Sequence, residues 1–164
     1  MLKALDIGCG ENKLNLENYF IDTVDNRVEV NPTYIASAKK LPIIDCSYDL
    51  VYSSHTLEHL GRNEIFITLS EWKRVLKDGG ILWVIVPNLE WAAEKILKKN
   101  SKIKNTLDDE DQILSVLYGD QTYDNNYHKM GFVPKTLMRE FELLGLKKIN
   151  YSIEGYNLSV KGVK

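Results

Sequence analysis

The sequence predicts an α/β protein, and three observations carry that reading. Strand-like and helix-like segments alternate along the chain. The first apolar run, residues 2–7, ends in Gly8-Cys9-Gly10, a strand running into a tight turn. The run ILWVIV at 81–86 is apolar at every position, as a parallel strand covered on both faces is.

The elements follow in order. After the strand at 2–7, residues 19–24 read as a second strand closing at Asp25. Residues 32–38 (PTYIASA) read as a third and 48–54 (YDLVYSS) as a fourth. Only seven positions separate Asp25 from Pro32, so the helix between the second and third strands is very short or absent. In 63–77, Ile65, Leu69, Trp72 and Leu76 recur at helical spacing, and Asp78-Gly79-Gly80 stops that helix before the strand at 81–86. Helices are expected at 89–99, 107–117 and 134–144. The third of these has Pro134 at its start and Gly145 just past its end. The acidic run 108–111 suits a first helical turn, where negative charge meets the positive end of the helix dipole. The lysine-rich stretch 95–104 reads as a solvated helix face. Strands at 146–152 and 157–163 close the chain.

Composition narrows the function. The 164 residues include 21 basic and 23 acidic side chains, a net charge of −2, which argues against a protein held mainly by nucleic-acid phosphates. A hydrophobic content of 44 % is enough for one sizeable core, and the length is that of a single domain, 1–164. The longest apolar run is far short of the roughly 20 residues a bilayer needs, so no membrane association is expected. Cys9 and Cys46 offer no disulfide framework, and the expectation is a reducing, cytoplasmic setting. The sequence leaves the oligomeric state open.

The turn LDIGCGEN at 5–12 is the first constellation that carries chemistry. Glycines at 8 and 10 let the backbone bend sharply and let a ligand approach it closely. A dinucleotide fingerprint would want a third glycine at position 13, which is Lys13. The chain also has no Gly-Lys-Ser/Thr, so a P-loop is excluded.

Three blocks, in order and at matching spacing, resemble the class I S-adenosylmethionine-dependent methyltransferases: LDIGCGENK at 5–13, AKKLPIIDCSYDLVYSSHTLEHL at 38–60 and EWKRVLKDGGILWVIVPN at 71–88. Within them the chain is most similar to a small bacterial group that carries YSSHTLEHL and a late segment ending NNYHKMGF. The resemblance implies a Rossmann-like sheet of seven strands, mostly parallel with the last antiparallel, and helices on both faces. It also implies S-adenosylmethionine as cofactor. The turn Gly8-Cys9-Gly10 would offer backbone N–H groups to its methionine end, and Asp6 would favour its ammonium. Asp25 would accept the ribose hydroxyls, with Asp22 close enough to compete. Ser37 and Ala38 would lie beside adenine, and Ser54 and His55 would face the methionine arm. The implied activity is methyl transfer to an acceptor oxygen, nitrogen or carbon; the acceptor expected here is a small molecule or glycan, with a hydroxyl oxygen as the first candidate.

Two rival readings belong beside this one. A non-catalytic cofactor-binding subunit would keep the glycine turn without turnover. The pentapeptide His55-Thr56-Leu57-Glu58-His59 also has the H-x-x-E-H spacing of one class of zinc peptidases. It sits against a strand end and two residues before Gly61, and no third ligand is marked, so no metal site is expected and Glu58 and His59 read as pinning the following helix.

The last signal is YGDQTYDNNYHKMGF at 118–132, dense in Tyr, Asp, Asn and His. It reads as the core of an acceptor-binding insertion, placed more broadly at 101–132. His128 is the candidate base, with Asp124 as the alternative, because an imidazole of ordinary pKa can take a hydroxyl proton near neutrality. Tyr123 and Tyr127 are expected to contact the acceptor.

Overall fold

The computed structural model describes residues 1–99, 107–124 and 126–164. Its strands are β1 (Leu2–Ile7), β2 (Tyr19–Asp25), β3 (Tyr34–Ile35), β4 (Tyr48–Ser54), β5 (Leu76–Pro87), β6 (Lys147–Glu154) and β7 (Asn157–Val163). The helices are α1 (Arg62–Val75), α2 (Leu89–Lys99), α3 (Leu107–Tyr118) and α4 (Pro134–Leu143). All seven strands form one sheet in the order β3-β2-β1-β4-β5-β7-β6. Only β7 runs antiparallel, between β5 and β6. This is the Rossmann-like arrangement the resemblance implies.

Packing follows from alternation along the strands. Leu5, Ile7, Val24, Val51, Leu82, Val84, Leu158 and Val160 point to one face and share a core with Ile65, Leu69 and Trp72 of α1 and Leu137 and Phe141 of α4. Helices α1 and α4 therefore lie on the same side of the sheet. On the opposite side the crossover 8–18 runs without a helix across Asp6, donating the Leu14 N–H to its carboxylate at 2.8 Å. Tyr52, Trp83 and Ile85 on that side stay partly exposed. The crossover after β2 holds only a 3-10 turn at Val28–Val30, as the short spacing to Pro32 requires.

Three boundaries differ from expectation. The third strand shrinks from 32–38 to Tyr34–Ile35. Thr33 is drawn into reciprocal hydrogen bonds with Thr23 (2.9 and 3.1 Å), and Ser37 turns the chain by accepting from the Lys40 N–H at 3.1 Å. Consequently Ser37 and Ala38 lie on a loop. The helix expected to 77 stops at Val75 because Leu76 pairs with Tyr48 and opens β5, with a register irregularity between Tyr48 and Leu50. Gly79 and Gly80 thus sit inside β5; they bond the chain end, with Gly79 N–H donating to Lys164 O and Lys164 N–H to Gly80 O, both at 2.9 Å. Part of the lysine-rich stretch and part of the 101–132 insertion lie outside the described residues.

Candidate functional site at the carboxyl edge

The carboxyl ends of β1, β2 and β4 meet at one edge of the sheet, the place where open α/β sheets put ligands. There Gly8 takes φ +70° and Gly10 φ +52°, conformations that side-chain-bearing residues rarely adopt. The turn is fixed by Gly8 N–H and Cys9 N–H, which both donate to Val24 O (2.8 and 3.2 Å). A Cβ on Gly8 would lie 2.0 Å from Thr56 Oγ1, so the glycine makes room for a protein side chain as well as for a ligand. Thr56 in turn donates to Ile7 O at 3.3 Å, joining the glycine turn to the segment after β4.

A cleft of about 380 Å³ opens over this edge, a size that suits a small ligand. Of the residues proposed from sequence, Gly8, Asp25, Ser37, Ala38, His55 and Asp124 line it, while Asp6, Cys9, Gly10, Asp22, Ser54 and His128 do not. Arg27, Thr56, His59, Tyr123 and Lys129 also line it. The sequence reading singled out neither Arg27 nor Lys129, since isolated cations in loops carry no signal of their own.

Asp25, almost fully buried, ends β2. It accepts from Gly10 N–H at 3.0 Å and from Arg27 N–H at 2.9 Å, and pairs with the Arg27 guanidinium at 3.3 Å. Asp22 faces the core side of the sheet, where it accepts from the buried Tyr48 hydroxyl at 2.9 Å. Unlike Asp25, it does not line the cleft. Asp6 is buried behind the turn. Burial, together with the Asp25 charge and against the Leu14 hydrogen bond, pushes its pKa up to about 6. Cys9 is buried too, which raises its thiol pKa, and Trp72 Nε1–H donates to Ala38 O at 2.8 Å, fixing the loop that lines the cleft.

The late segment reaches the same edge. The Arg27 guanidinium lies 4.6 Å from the centre of the Tyr123 ring, so residues 123–124 close the cleft on the Asp25 side. Lys129 and Met130 N–H groups both donate to Glu58 O (2.8 and 3.1 Å), laying the strip around His128 onto the 3-10 turn Leu57–His59.

All three histidines of the chain gather at this junction. His55, at φ +53°, places Nδ1 3.3 Å from Glu58 Oε1 and Nε2 3.0 Å from Asn157 Oδ1. Burial lowers its pKa, but Glu58 outweighs this and the net shift is upward. The His59 pKa is lowered, chiefly by burial. His128 Nε2 stands 3.9 Å from the same Glu58 oxygen, and its ring meets that of His59 edge-on at 5.0 Å. Glu58 itself is 1 % exposed, and neither carboxylate oxygen has a hydrogen-bond partner. The pinning role expected for Glu58 and His59 falls instead to Glu64, whose carboxylate accepts the Gly61 N–H at 2.8 Å at the start of α1. The third group that HTLEH lacks in sequence is supplied from residue 128: Glu58, His59 and His128 each bring a ligand atom within 4.8 Å of the others.

Comparisons with known proteins agree with the fold. Residues 5–84 match the methyltransferase domain family. Among solved structures, an S-adenosylmethionine-dependent methyltransferase of Thermotoga maritima superposes with a TM-score of 0.66 at 17 % identity, over 100 % of this chain and 83 % of that one. An S-adenosylmethionine-dependent methyltransferase of Archaeoglobus fulgidus gives 0.65 at 15 %, over 99 % and 86 %. One from Aquifex aeolicus gives 0.62 at 16 %, over 98 % and 81 %. No curated protein sequence matches the chain significantly. Among the described residues no helix is long and apolar enough to cross a membrane.

Proposed function

We propose that this chain, which matches the methyltransferase domain family over residues 5–84 and shares its fold with S-adenosylmethionine-dependent methyltransferases, methylates a hydroxyl oxygen of a small molecule or glycan, with residues 118–132 binding the acceptor. The observation that carries the acceptor assignment is that Tyr123, Asp124 and Lys129 line the same cleft as Gly8 and Asp25. A rim of aromatic, acidic and basic groups suits a polyhydroxylated ligand better than an apolar one.

In this reading the cofactor lies along the carboxyl edge. Asp25 accepts the ribose hydroxyls, and Ser37 and Ala38 flank adenine. The methionine end lies against the glycine turn at Gly8, which lines the cleft, while the charge of the buried Asp6 behind that turn favours the ammonium. Ser54 and His55 bound the methionine arm, which turns the methyl group towards His59 and Asp124. The sulfonium is an activated donor, so holding the oxygen, the methyl carbon and the sulfur in line does most of the work. As the oxygen–carbon bond forms, the carbon–sulfur bond breaks and its electron pair stays on sulfur. Of the two acid–base candidates, Asp124 faces the cleft and can take the hydroxyl proton directly, whereas His128 lies behind it against Glu58.

Calorimetric titration with S-adenosylmethionine and its demethylated product, NAD serving as control, tests the cofactor half. Label transfer from methyl-labelled cofactor to a panel of sugars, glycans and phenols tests the acceptor half. Binding without transfer to any member would leave a cofactor-binding subunit and defeat the acceptor proposal.

A further inference from the structure

We infer that Glu58, His59 and His128 form a binding site for a divalent transition-metal ion at the acceptor end of the cleft; its catalytic use rests on the methyltransferase reading. The first support is the buried Glu58. A carboxylate that is 1 % exposed, with both oxygens lacking hydrogen-bond partners, is costly to bury as a charge and favours a cation beside it. His55 Nδ1, 3.3 Å from Oε1, offers one positive charge when protonated, and both Glu58 oxygens still lack a hydrogen bond that a bound ion would replace.

The second support is the state of the two rings. His59 Nδ1 lies 3.1 Å from Tyr127 O, and His128 Nδ1 lies 3.0 Å from Val116 O. A backbone carbonyl only accepts, so each Nδ1 carries the proton, and a neutral ring then keeps the Nε2 lone pair free. Anchoring one ring nitrogen on a carbonyl is how proteins orient histidine ligands for metals.

The third support is convergence. The three ligand atoms lie within 4.8 Å of one another, and the His128 Nε2 to Glu58 Oε1 separation is 3.9 Å. Atoms each bound at about 2.0–2.2 Å to one ion stand about 3–4 Å apart, so closure requires only a small side-chain adjustment. The backbone already holds the pieces, through the Lys129 and Met130 N–H bonds to Glu58 O. Two imidazoles and one carboxylate favour zinc, manganese, iron(II) or cobalt over magnesium or calcium, and leave positions open for a substrate oxygen.

His59 lines the cleft, so an ion held there would reach the acceptor. It would bind the acceptor hydroxyl and lower its pKa, letting the proton pass to water and leaving the oxygen to attack the methyl carbon. The products are the methyl ether and S-adenosylhomocysteine, with no oxidant or reductant consumed. The acceptor class narrows to molecules whose hydroxyl can coordinate a metal.

The test uses untagged, chelator-treated protein. Mn2+ binding is followed by the electron paramagnetic resonance of the free ion, and Zn2+ binding by calorimetry, with S-adenosylmethionine titrated separately. The expected result is one ion per chain, weakened about 10- to 100-fold in Glu58→Gln and in His128→Ala, while cofactor affinity changes less than about twofold. His128→Asn serves if the alanine variant fails to fold. Cofactor binding without stoichiometric Mn2+ or Zn2+ overturns the metal site and leaves the methyltransferase reading intact. An ion bound equally well by both variants also overturns it. Ion binding without cofactor binding upholds the site and defeats the methyltransferase reading instead.

Discussion

Asp22 and Asp25, three positions apart on β2, serve opposite faces of the sheet: Asp22 accepts from the Tyr48 hydroxyl in the core at 2.9 Å, and Asp25 accepts from Gly10 N–H beside the cleft at 3.0 Å. A strand alternates its side chains, so an odd separation sends them to opposite sides. The two carboxylates should therefore fail differently. Asp25→Ala should weaken S-adenosylmethionine binding by roughly 1–3 kcal/mol through lost charge-assisted hydrogen bonds. Asp22→Ala should instead lower stability by about 1 kcal/mol, because it removes the carboxylate that accepts the Tyr48 hydroxyl. Urea melts and calorimetric titration of both variants separate the effects, and the reverse pattern would rule out the assignment of the ribose to Asp25.

The Asp6 carboxyl gives a pH dependence whose sign is fixed. Its pKa is pushed from 3.8 to about 6, mainly by burial, so the folded protein binds a proton more tightly than the unfolded chain does. Above about pH 6 the buried charge opposes folding, and that penalty is relieved as pH falls from about 6 towards 4. Cofactor binding runs the other way, because the ammonium needs the carboxylate ionised. Affinity for S-adenosylmethionine should fall as pH drops through 6, and Asp6→Asn should bind weakly at pH 8 with little pH dependence across 5–7. Calorimetry in buffers of differing ionisation heat should show a proton released on binding near pH 6. No proton release would remove Asp6 from the ammonium site.

Trp72 links core packing to the cleft, since its buried ring packs against the sheet while its Nε1–H holds Ala38 O at 2.8 Å. Trp72→Phe keeps most of the apolar volume and deletes the hydrogen bond. It should cost about 1–3 kcal/mol of stability and also weaken cofactor binding, as the loop carrying Ser37 and Ala38 loses its anchor. A stability loss with unchanged affinity would show that the loop is held by its neighbours alone.

How legible this was in the sequence depends on how local each cause is. β1, β2, β4 and α1 follow from alternation, the Gly-Cys-Gly turn and helical spacing, all of which act within a few residues. The length of β3 does not, because it is set by Thr33 pairing with Thr23 on the neighbouring strand. The start of β5 depends likewise on Tyr48 across the sheet. At the site, Gly8 and Asp25 were readable from the strand ends they close. The meeting of Glu58 with His128 was not, because HTLEH holds two of the groups that meet and His128 arrives from a distant segment through backbone bonds to Glu58 O. Gly8 shows the same limit: sequence marks it as close to a ligand, whereas the structure puts Thr56 against it. Gly8→Val would therefore disturb the protein as well as the cofactor and is a poor probe of binding.

The Tyr123 ring separates acceptor from cofactor effects because it meets the cofactor side through Arg27, whose guanidinium lies 4.6 Å from the ring centre and pairs with Asp25 at 3.3 Å. A half-exposed cation–π contact is worth about 0.5–1 kcal/mol, so its loss should raise the cofactor Kd by less than about fivefold. An acceptor stacked on the exposed ring face would lose far more, because aromatic area and orientation disappear together. Tyr123→Ala should thus raise the acceptor KM by roughly tenfold or more with kcat largely kept, the pattern of lost binding rather than lost chemistry. Tyr123→Phe keeps both the ring and the cation–π contact and should stay close to the parent protein in both constants. Steady-state kinetics with each substrate varied in turn distinguish the outcomes. If Tyr123→Ala raised the cofactor Kd tenfold and left the acceptor KM unchanged, residues 123–124 would belong to the cofactor site, and the acceptor would have to enter from the His59 side of the cleft.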